Sequence, residues 1–392
     1  MRIVYSDNLK RIPPYLFAEL ERKVEEMRMK GDTVYDLSIG DPDLPTPPEI
    51  VKVLQKAVMD KRYQGYSSSR GERFFREAVA EWYRKRFSVN IDPDKEVCAL
   101  IGSKEGLANI ARAFINIGDT VLVPDPGYPV YSNGAALLSY GDPAPLPLLA
   151  ERGYLPDLDE INPFGAKLMY LNYPNNPTGA IAPKKFLSEA VAFARDHDII
   201  LCYDNAYSEM VLEGEQACSI LEVPGAMDCC VEFNSCSKTF NMTGSRIGFA
   251  VGSERIISAL AKVKSQIDSG APPFVQVAAA YALSLYKGKE PPAVVRRNVE
   301  IYKRRMKLFA EGLRECGLDC APSPATFYLW VRVGGSSMEY ANWLLKRGIV
   351  ATPGIGFGSH GEGYIRFALT KDETVLAEAI SRLKRGERES AD

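Results

Sequence analysis

Histidine is almost missing from this chain: His197 and His360 are the only two in 392 residues. With so few imidazoles, and no Cys-x-x-Cys among the eight cysteines, no metal centre is expected. Cys98, Cys202 and the Cys229-Cys230 pair lie in or beside apolar runs, where a free thiol behaves as a small hydrophobe, and Cys236 reads as a tolerated small residue. Charge of one sign is lacking too. Lysine and arginine number 48 against 50 acids, a net charge of −2, so nothing electrostatic invites nucleic acid or an anionic membrane. No apolar run approaches the roughly 18–20 residues of a membrane span, and residues 1–7 have no signal-peptide core. The expected location is therefore the cytoplasm, where the Asn241-Met242-Thr243 sequon has no use. What is present is a chain 46% hydrophobic, with material for a large core and a smaller second domain.

Periodicity predicts a helix over 15–30, a short strand over 34–37 and a proline-set connector over 41–48. From about 51 to 287, strands and helices alternate, the pattern of a mostly parallel sheet flanked by helices. A long helix over 292–315 leads to a second set: strand 327–333, helix 338–346, strand 364–368 and helix 374–385. The expected division is 1–48 as an N-terminal arm and part of the small domain, 49–290 as the large domain, and 291–392 as the rest of the small domain. There is no internal repeat. Gly356, Gly358 and Gly361 satisfy G-x-G-x-x-G, but they lead into the strand-like Tyr364-Ile365-Arg366-Phe367 rather than a helix, which rejects a dinucleotide fingerprint.

Several strings carrying reactive groups follow apolar, strand-like runs, and the carboxyl ends of strands are where open α/β sheets bind ligands. Lys238 sits between Ser235, Ser237 and Arg246, hydroxyls and a guanidinium able to hold a phosphate. Asp204 and Tyr207 follow Ile199–Cys202, and Asn176 follows the run 168–171. Gly102-Ser103-Lys104 opens a helical pattern and offers free N–H groups to an anion. Tyr128 follows the strand-like run 120–123. Singly, each has an ordinary use as an N-cap, a turn or packing. Together they supply a Schiff-base lysine, an acid for a ring nitrogen, donors for a ring oxygen, a stacking ring and a phosphate cup, the set needed by a flat phosphorylated pyridine. Arg366, in an apolar strand, is costly to bury unless it meets an anion, either an internal acid or a substrate carboxylate.

In their order and spacing these strings resemble the class I, fold-type I pyridoxal-phosphate aminotransferases from about residue 15 to 383. The resemblance implies an α/β architecture, with a mostly parallel seven-stranded sheet between helices and a smaller α/β domain. It implies Lys238 as the Schiff-base lysine, Asp204 on the pyridine nitrogen, and Asn176 and Tyr207 on the ring oxygen. Tyr128 would lie against the ring, with Ser103, Lys104, Ser235, Ser237 and Arg246 around the phosphate of pyridoxal 5'-phosphate. Tyr66 would reach the phosphate of a second subunit, which implies a homodimer with shared active sites. Arg366 would grip the substrate α-carboxylate, with the Gly40 backbone close to it.

Pro13-Pro14-Tyr15-Leu16-Phe17, the 40–47 string, the 173–179 string and Ile267-Asp268-Ser269-Gly270 are similar to the LL-diaminopimelate aminotransferase group. That likeness implies small-molecule amino-acid and 2-oxo-acid substrates, the amino donor carrying a zwitterion at each end. Lys104 and Tyr15 become candidates for its distal carboxylate and Asp268 for its distal ammonium, and Tyr128 and Asn176 also border the substrate. Cys236 and Thr239-Phe240 depart from the wording of close members and bear on pocket width. Other readings fit the same residues: a broad-specificity alanine, aspartate or aromatic aminotransferase, or a C–S lyase on the same fold. A cofactor-sensing regulator would carry a DNA-binding domain ahead of residue 15, which is not expected here.

Overall fold

The computed structural model describes residues 1, 3–14 and 16–388. Its strands, in chain order, are β1 (Tyr35–Asp36), β2 (Val97–Leu100), β3 (Thr120–Asp125), β4 (Asp142–Pro147), β5 (Ala166–Asn172) and β6 (Ile200–Asp204), then β7 (Cys230–Ser235), β8 (Gly248–Gly252), β9 (Tyr328–Arg332), β10 (Ile349–Val350), β11 (Thr352–Pro353) and β12 (Tyr364–Ala368). Seven form one sheet in the order β2-β8-β7-β6-β5-β3-β4. All run the same way except β8, which is antiparallel to β2 and β7.

Strands covered on both faces are apolar throughout, and the two-residue pleat decides which core each side chain enters. Val97, Ala99, Met169, Leu171, Leu201 and Tyr203 join one core, built with Ile50, Phe75 and Val79 from the helices Pro48–Met59 and Arg73–Phe87 and with the helices Lys184–Asp196 and Pro273–Ser284. Their neighbours Cys98, Leu100, Leu168, Tyr170 and Cys202 join the opposite core, with Leu107 and Ile110 of the helix Ser103–Phe114 and Ile257 and Leu260 of the helix Glu254–Lys264. β4 closes one edge of the sheet. Its prolines, Pro143, Pro145 and Pro147, recur every second residue, so the missing N–H groups fall on one side of the strand, where no neighbour asks for them.

A second unit stands on β11-β12-β9, all antiparallel, packed with the helices Ala293–Glu315, Ser337–Leu345 and Glu373–Arg388. β1 pairs in parallel with β10, which ties N-terminal residues to this C-terminal part. Tyr207 and Met210, just beyond β6, belong to the core of the second unit, so the segment after Asp204 bridges the two sheets. The glycines at 356, 358 and 361 fall in and beside the short 3₁₀ turns Gly354–Phe357 and Ser359–Gly361 before β12, with no helix following. No helix among the described residues is long and apolar enough to cross a membrane.

Behind the sheet edge, Glu232 of β7 is fully buried yet saturated with donors. It accepts from Tyr83 (2.9 Å), Asn205 (3.0 Å), Asn234 (3.0 Å), the Ser219 hydroxyl (2.6 Å) and the Ile220 N–H (2.9 Å). Removing the shared acceptor leaves the Tyr83 and Ser219 hydroxyls and the Ile220 N–H without it in a dry interior, while Asn205 and Asn234 keep the Cys218 carbonyl and the Tyr83 oxygen. Glu232→Leu is therefore expected to lower the unfolding free energy by about 3–5 kcal/mol in a urea titration. An unchanged midpoint would refute this account of the network.

Candidate active site

Because the parallel strands end on one edge, Ser103, Asn172, Asp204 and Ser235 arrive there from β2, β5, β6 and β7. The antiparallel β8 begins on the same edge, with Leu100 and Ser235 both opposite Gly248, and this brings Arg246 in from the chain preceding it. A Cβ at residue 248 would stand 2.5 Å from the Asn234 carbonyl oxygen, so a glycine is what lets these ends close up. The result is a cavity of about 310 Å³. Gly40, Ser103, Lys104, Tyr128, Asn176 and Asp204 line it, as do Tyr207, Ser235, Ser237, Lys238, Arg246 and Arg366.

Lys238 lies on the short turn of helix Cys236–Thr239, capped by Ser235, whose Oγ accepts from the Ser237 N–H (3.2 Å). Its Nζ donates to the Gly40 carbonyl oxygen (2.7 Å). Burial is the main cause that pulls the amine down to about 8. The Arg366 and Arg246 guanidiniums add to this, and Asp41 opposes it. Asp204 moves the other way. Burial raises it to about 6 against donation from the Tyr131 hydroxyl (2.8 Å) and the Ala206 N–H (3.2 Å). Tyr131 is itself fixed by stacking on Tyr170, with ring centroids 5.1 Å apart.

Tyr207 and Tyr328 bring their hydroxyls to 3.0 Å, and burial holds the Tyr207 phenol in its protonated form. A Cβ on residue 40 would sit 1.9 Å from the Tyr328 oxygen, so the glycine there is demanded first by that ring. Arg366 is 2% exposed on β12. Its Nη1 donates to Asn176 Oδ1 (2.9 Å) and its Nη2 to the Ser38 carbonyl (2.6 Å), with the guanidinium over the Tyr328 ring at 4.2 Å and the Phe357 ring at 4.7 Å. With Oδ1 engaged, Asn176 keeps its amide nitrogen as a donor. Asn172 sets both loops at once, donating to the Asp204 carbonyl (2.8 Å) and accepting from the Asn176 N–H (2.8 Å).

The groups that could hold an anion are the N-terminus of the helix Ser103–Phe114 and Arg246. Gly102, with φ +76°, caps the helix, and a Cβ there would stand 2.4 Å from Arg246 Nη2. The guanidinium thus packs against a helix N-terminus with serine hydroxyls nearby, which concentrates donors and positive potential. Lys104 Nζ lies 5.6 Å from the Tyr128 ring centroid, and Tyr128 meets Tyr131 edge-on at 6.0 Å.

Three of the residues singled out in the sequence are not placed in this cavity. Tyr66 is 94% exposed and lies away from it. Asp268 lies outside it as well, held by Lys264 (3.0 Å) and the Gly270 N–H (2.7 Å). Tyr15 lies outside the described residues. Conversely, Glu21, Asp41, Tyr131, Asn172, Thr243 and Tyr328 line the cavity and were not picked out. Asn172 and Tyr131 had a usable signal, the last residue of an apolar strand and a ring three residues after Tyr128. Tyr328 had none, since it comes from a distant strand. Cys236 is buried, and burial pushes its thiol up to about 12, an inert side chain. Among the described residues no group of three His, Cys, Asp or Glu could hold a metal.

The chain belongs to the class I and II aminotransferases, whose family model matches residues 32–383. It is 48% identical over 391 residues to the LL-diaminopimelate aminotransferase of Syntrophobacter fumaroxidans, spanning 98% of this chain and 99% of the relative. To the LL-diaminopimelate aminotransferase of Aquifex aeolicus it is 47% identical over 386 residues, 97% and 98% of the two. The solved structure of substrate-bound BacF from Bacillus subtilis superposes with a TM-score of 0.92 at 38% identity, over 98% of each chain.

The Lys238 shift has a measurable consequence for the cofactor-free protein. The folded amine releases its proton near pH 8, whereas the unfolded chain holds it to the ordinary 10.5, so stability rises with pH between those values. Below pH 8 the buried ammonium is a constant penalty. Lys238→Met is expected to raise the unfolding free energy at pH 7 by roughly 3 kcal/mol, and the gain should vanish above about pH 10.5. A gain that is independent of pH, measured by denaturant unfolding, would contradict this.

Proposed function

We propose that this aminotransferase moves nitrogen between LL-diaminopimelate and 2-oxoglutarate, giving tetrahydrodipicolinate and glutamate, with pyridoxal 5'-phosphate as its cofactor. The observation that carries the reading is the convergence in one cavity of a buried amine of lowered pKa, a buried carboxylate, an anion cup and a buried guanidinium, in a chain whose relatives bear the diaminopimelate name over almost their whole length. The residues fit the cofactor. Gly102 lets the Arg246 guanidinium pack against a helix N-terminus, donors that suit a phosphate, and the Asn176 amide and Tyr207 hydroxyl can serve as donors for a ring oxygen. When bound, pyridoxal phosphate supplies the aldehyde that takes up the amino group and the ring that accepts the electrons of the broken bond.

The protein's own groups then have separable tasks. Ser103, Ser235, Ser237 and Arg246 would hold the phosphate, and Tyr128 would cover a ring face. Asp204, set in place by Tyr131 and Asn172, would keep a proton at the ring nitrogen and be ionised by pairing with it. Arg366 orients the substrate by its α-carboxylate as a bidentate fork. Lys238, its amine lowered by burial to about 8, keeps an unprotonated fraction at physiological pH and is then a base able to take the proton from the substrate Cα and hand it to the cofactor's aldehyde carbon. Tyr66, exposed on its own chain, would complete the phosphate cup of a second copy in a homodimer.

The test is an absorbance spectrum of the cofactor-loaded protein on adding LL-diaminopimelate, then 2-oxoglutarate. The expected outcome is conversion of the aldehyde-form band to that of the aminated cofactor, and its return with the second addition. A band left unchanged by diaminopimelate but bleached by alanine, aspartate or an aromatic amino acid would reject the substrate and keep the enzyme class. Pyruvate, ammonia and a thiol released from an added cysteine thioether, without the aminated form, would point to a lyase. Arg366→Lys, which loses the fork but keeps the charge, is expected to lower kcat/KM by roughly 100-fold in the same assay.

A further inference from the structure

Glu21 lies on the helix Leu16–Met29, whose Leu20 and Val24 are buried together with Val350. Successive helical residues turn by about 100°. Seating Leu20 and Val24 therefore turns Glu21 onto the adjoining face, where its exposed side chain forms part of the wall of the cavity that holds Lys238 and Arg366. The charges beside it are matched along the helix, Arg22 with Glu26 and Lys23 with Glu19, whereas Glu21 enters no ion pair among the described residues. Among the described residues three carboxylates line the cavity: Asp41, Asp204 and Glu21. Asp204 is engaged by Tyr131 and Ala206, and Asp41 acts on the Lys238 amine. Glu21 is the one left to meet a cation carried by the substrate.

We propose that Glu21 binds the ammonium at the far end of the substrate and so selects an amino donor with a second amino group. The inference rests on the diaminopimelate reading and names the side chain that recognises its non-reacting centre. With the α-carboxylate at Arg366 and the reacting nitrogen at Lys238, a seven-carbon diamine leads its second zwitterion away from those two groups. Its ammonium then requires an acid and its carboxylate a base, and the cavity wall offers Glu21 and Lys104. A bare dicarboxylate of the same length has no partner for Glu21, and the unmet carboxylate disfavours it. One residue thereby attracts one substrate and discriminates against the other.

Wild type, Glu21→Gln and Glu21→Asp, each loaded with pyridoxal phosphate, would be compared on LL-diaminopimelate and on L-2-aminopimelate, the same dicarboxylate without the distal amino group. The expected result for Glu21→Gln is a roughly 10- to 100-fold loss of kcat/KM on diaminopimelate, carried by KM. Aminopimelate should be unaffected or improved, and Glu21→Asp intermediate. Equal losses on both substrates, or no loss on either, overturn the role of Glu21 and leave the diaminopimelate reading standing. A wild type that accepts aminopimelate and not diaminopimelate overturns both.

Discussion

Parallel strands that share one edge impose the geometry from which the rest follows. β2, β3, β5, β6 and β7 each run out at the same side of the large sheet, and each delivers its next few residues to a common space. Hydrogen-bonded strands stand about 4.8 Å apart, so chain ends separated by dozens of residues come within the span of one small molecule. The reversed β8 extends the device: because it starts where its neighbours end, Arg246 reaches the helix N-terminus at Gly102 from the opposite chain direction.

Desolvation then tunes the assembled groups. It lowers Lys238 and raises Asp204, both toward their neutral forms, while Tyr207 is kept protonated. These are the directions in which a lysine becomes a base near neutral pH and a carboxyl becomes responsive to a cation placed beside it. The second sheet supplies the counterpart. Arg366 is held by neutral oxygens of Asn176 and Ser38 and roofed by Tyr328 and Phe357, an arrangement that fixes the guanidinium plane. Asp125, at the end of β3, accepts from the His360 N–H (3.0 Å) and the Ser359 hydroxyl (2.9 Å), which latches the Tyr128 loop to the turn that leads into the Arg366 strand.

The legible parts of the fold were those with a strong local period. The strand at Tyr364–Ala368 and the helix Ala293–Glu315 stand where the pattern places them, because each buries a regular apolar face. The two-residue strands β10 and β11 are too short to show a period, and the prolines of β4 argue against a strand until its position at the sheet edge is known. Within the cavity, Lys238, Asp204 and Arg246 carry unusual chemistry beside recognisable runs. Glu21 and Tyr328 are ordinary residues made relevant by distant neighbours, and no local signal distinguishes them.

By itself the sequence determined the alternation of strands and helices, the family, and which residue types stand at the strand ends, since all of these are written in local spacing. Only the tertiary structure decided that Tyr131 serves Asp204, that Tyr328 is why residue 40 must be glycine, that Asp268 is tied to Lys264 outside the cavity of its own chain, and that Glu21 lines the cavity that holds Lys238. The reason is physical. Periodicity records which face of an element is buried, whereas the meeting of two side chains far apart in the chain depends on sheet order and on how the second unit packs against the first, and neither is encoded in any single stretch.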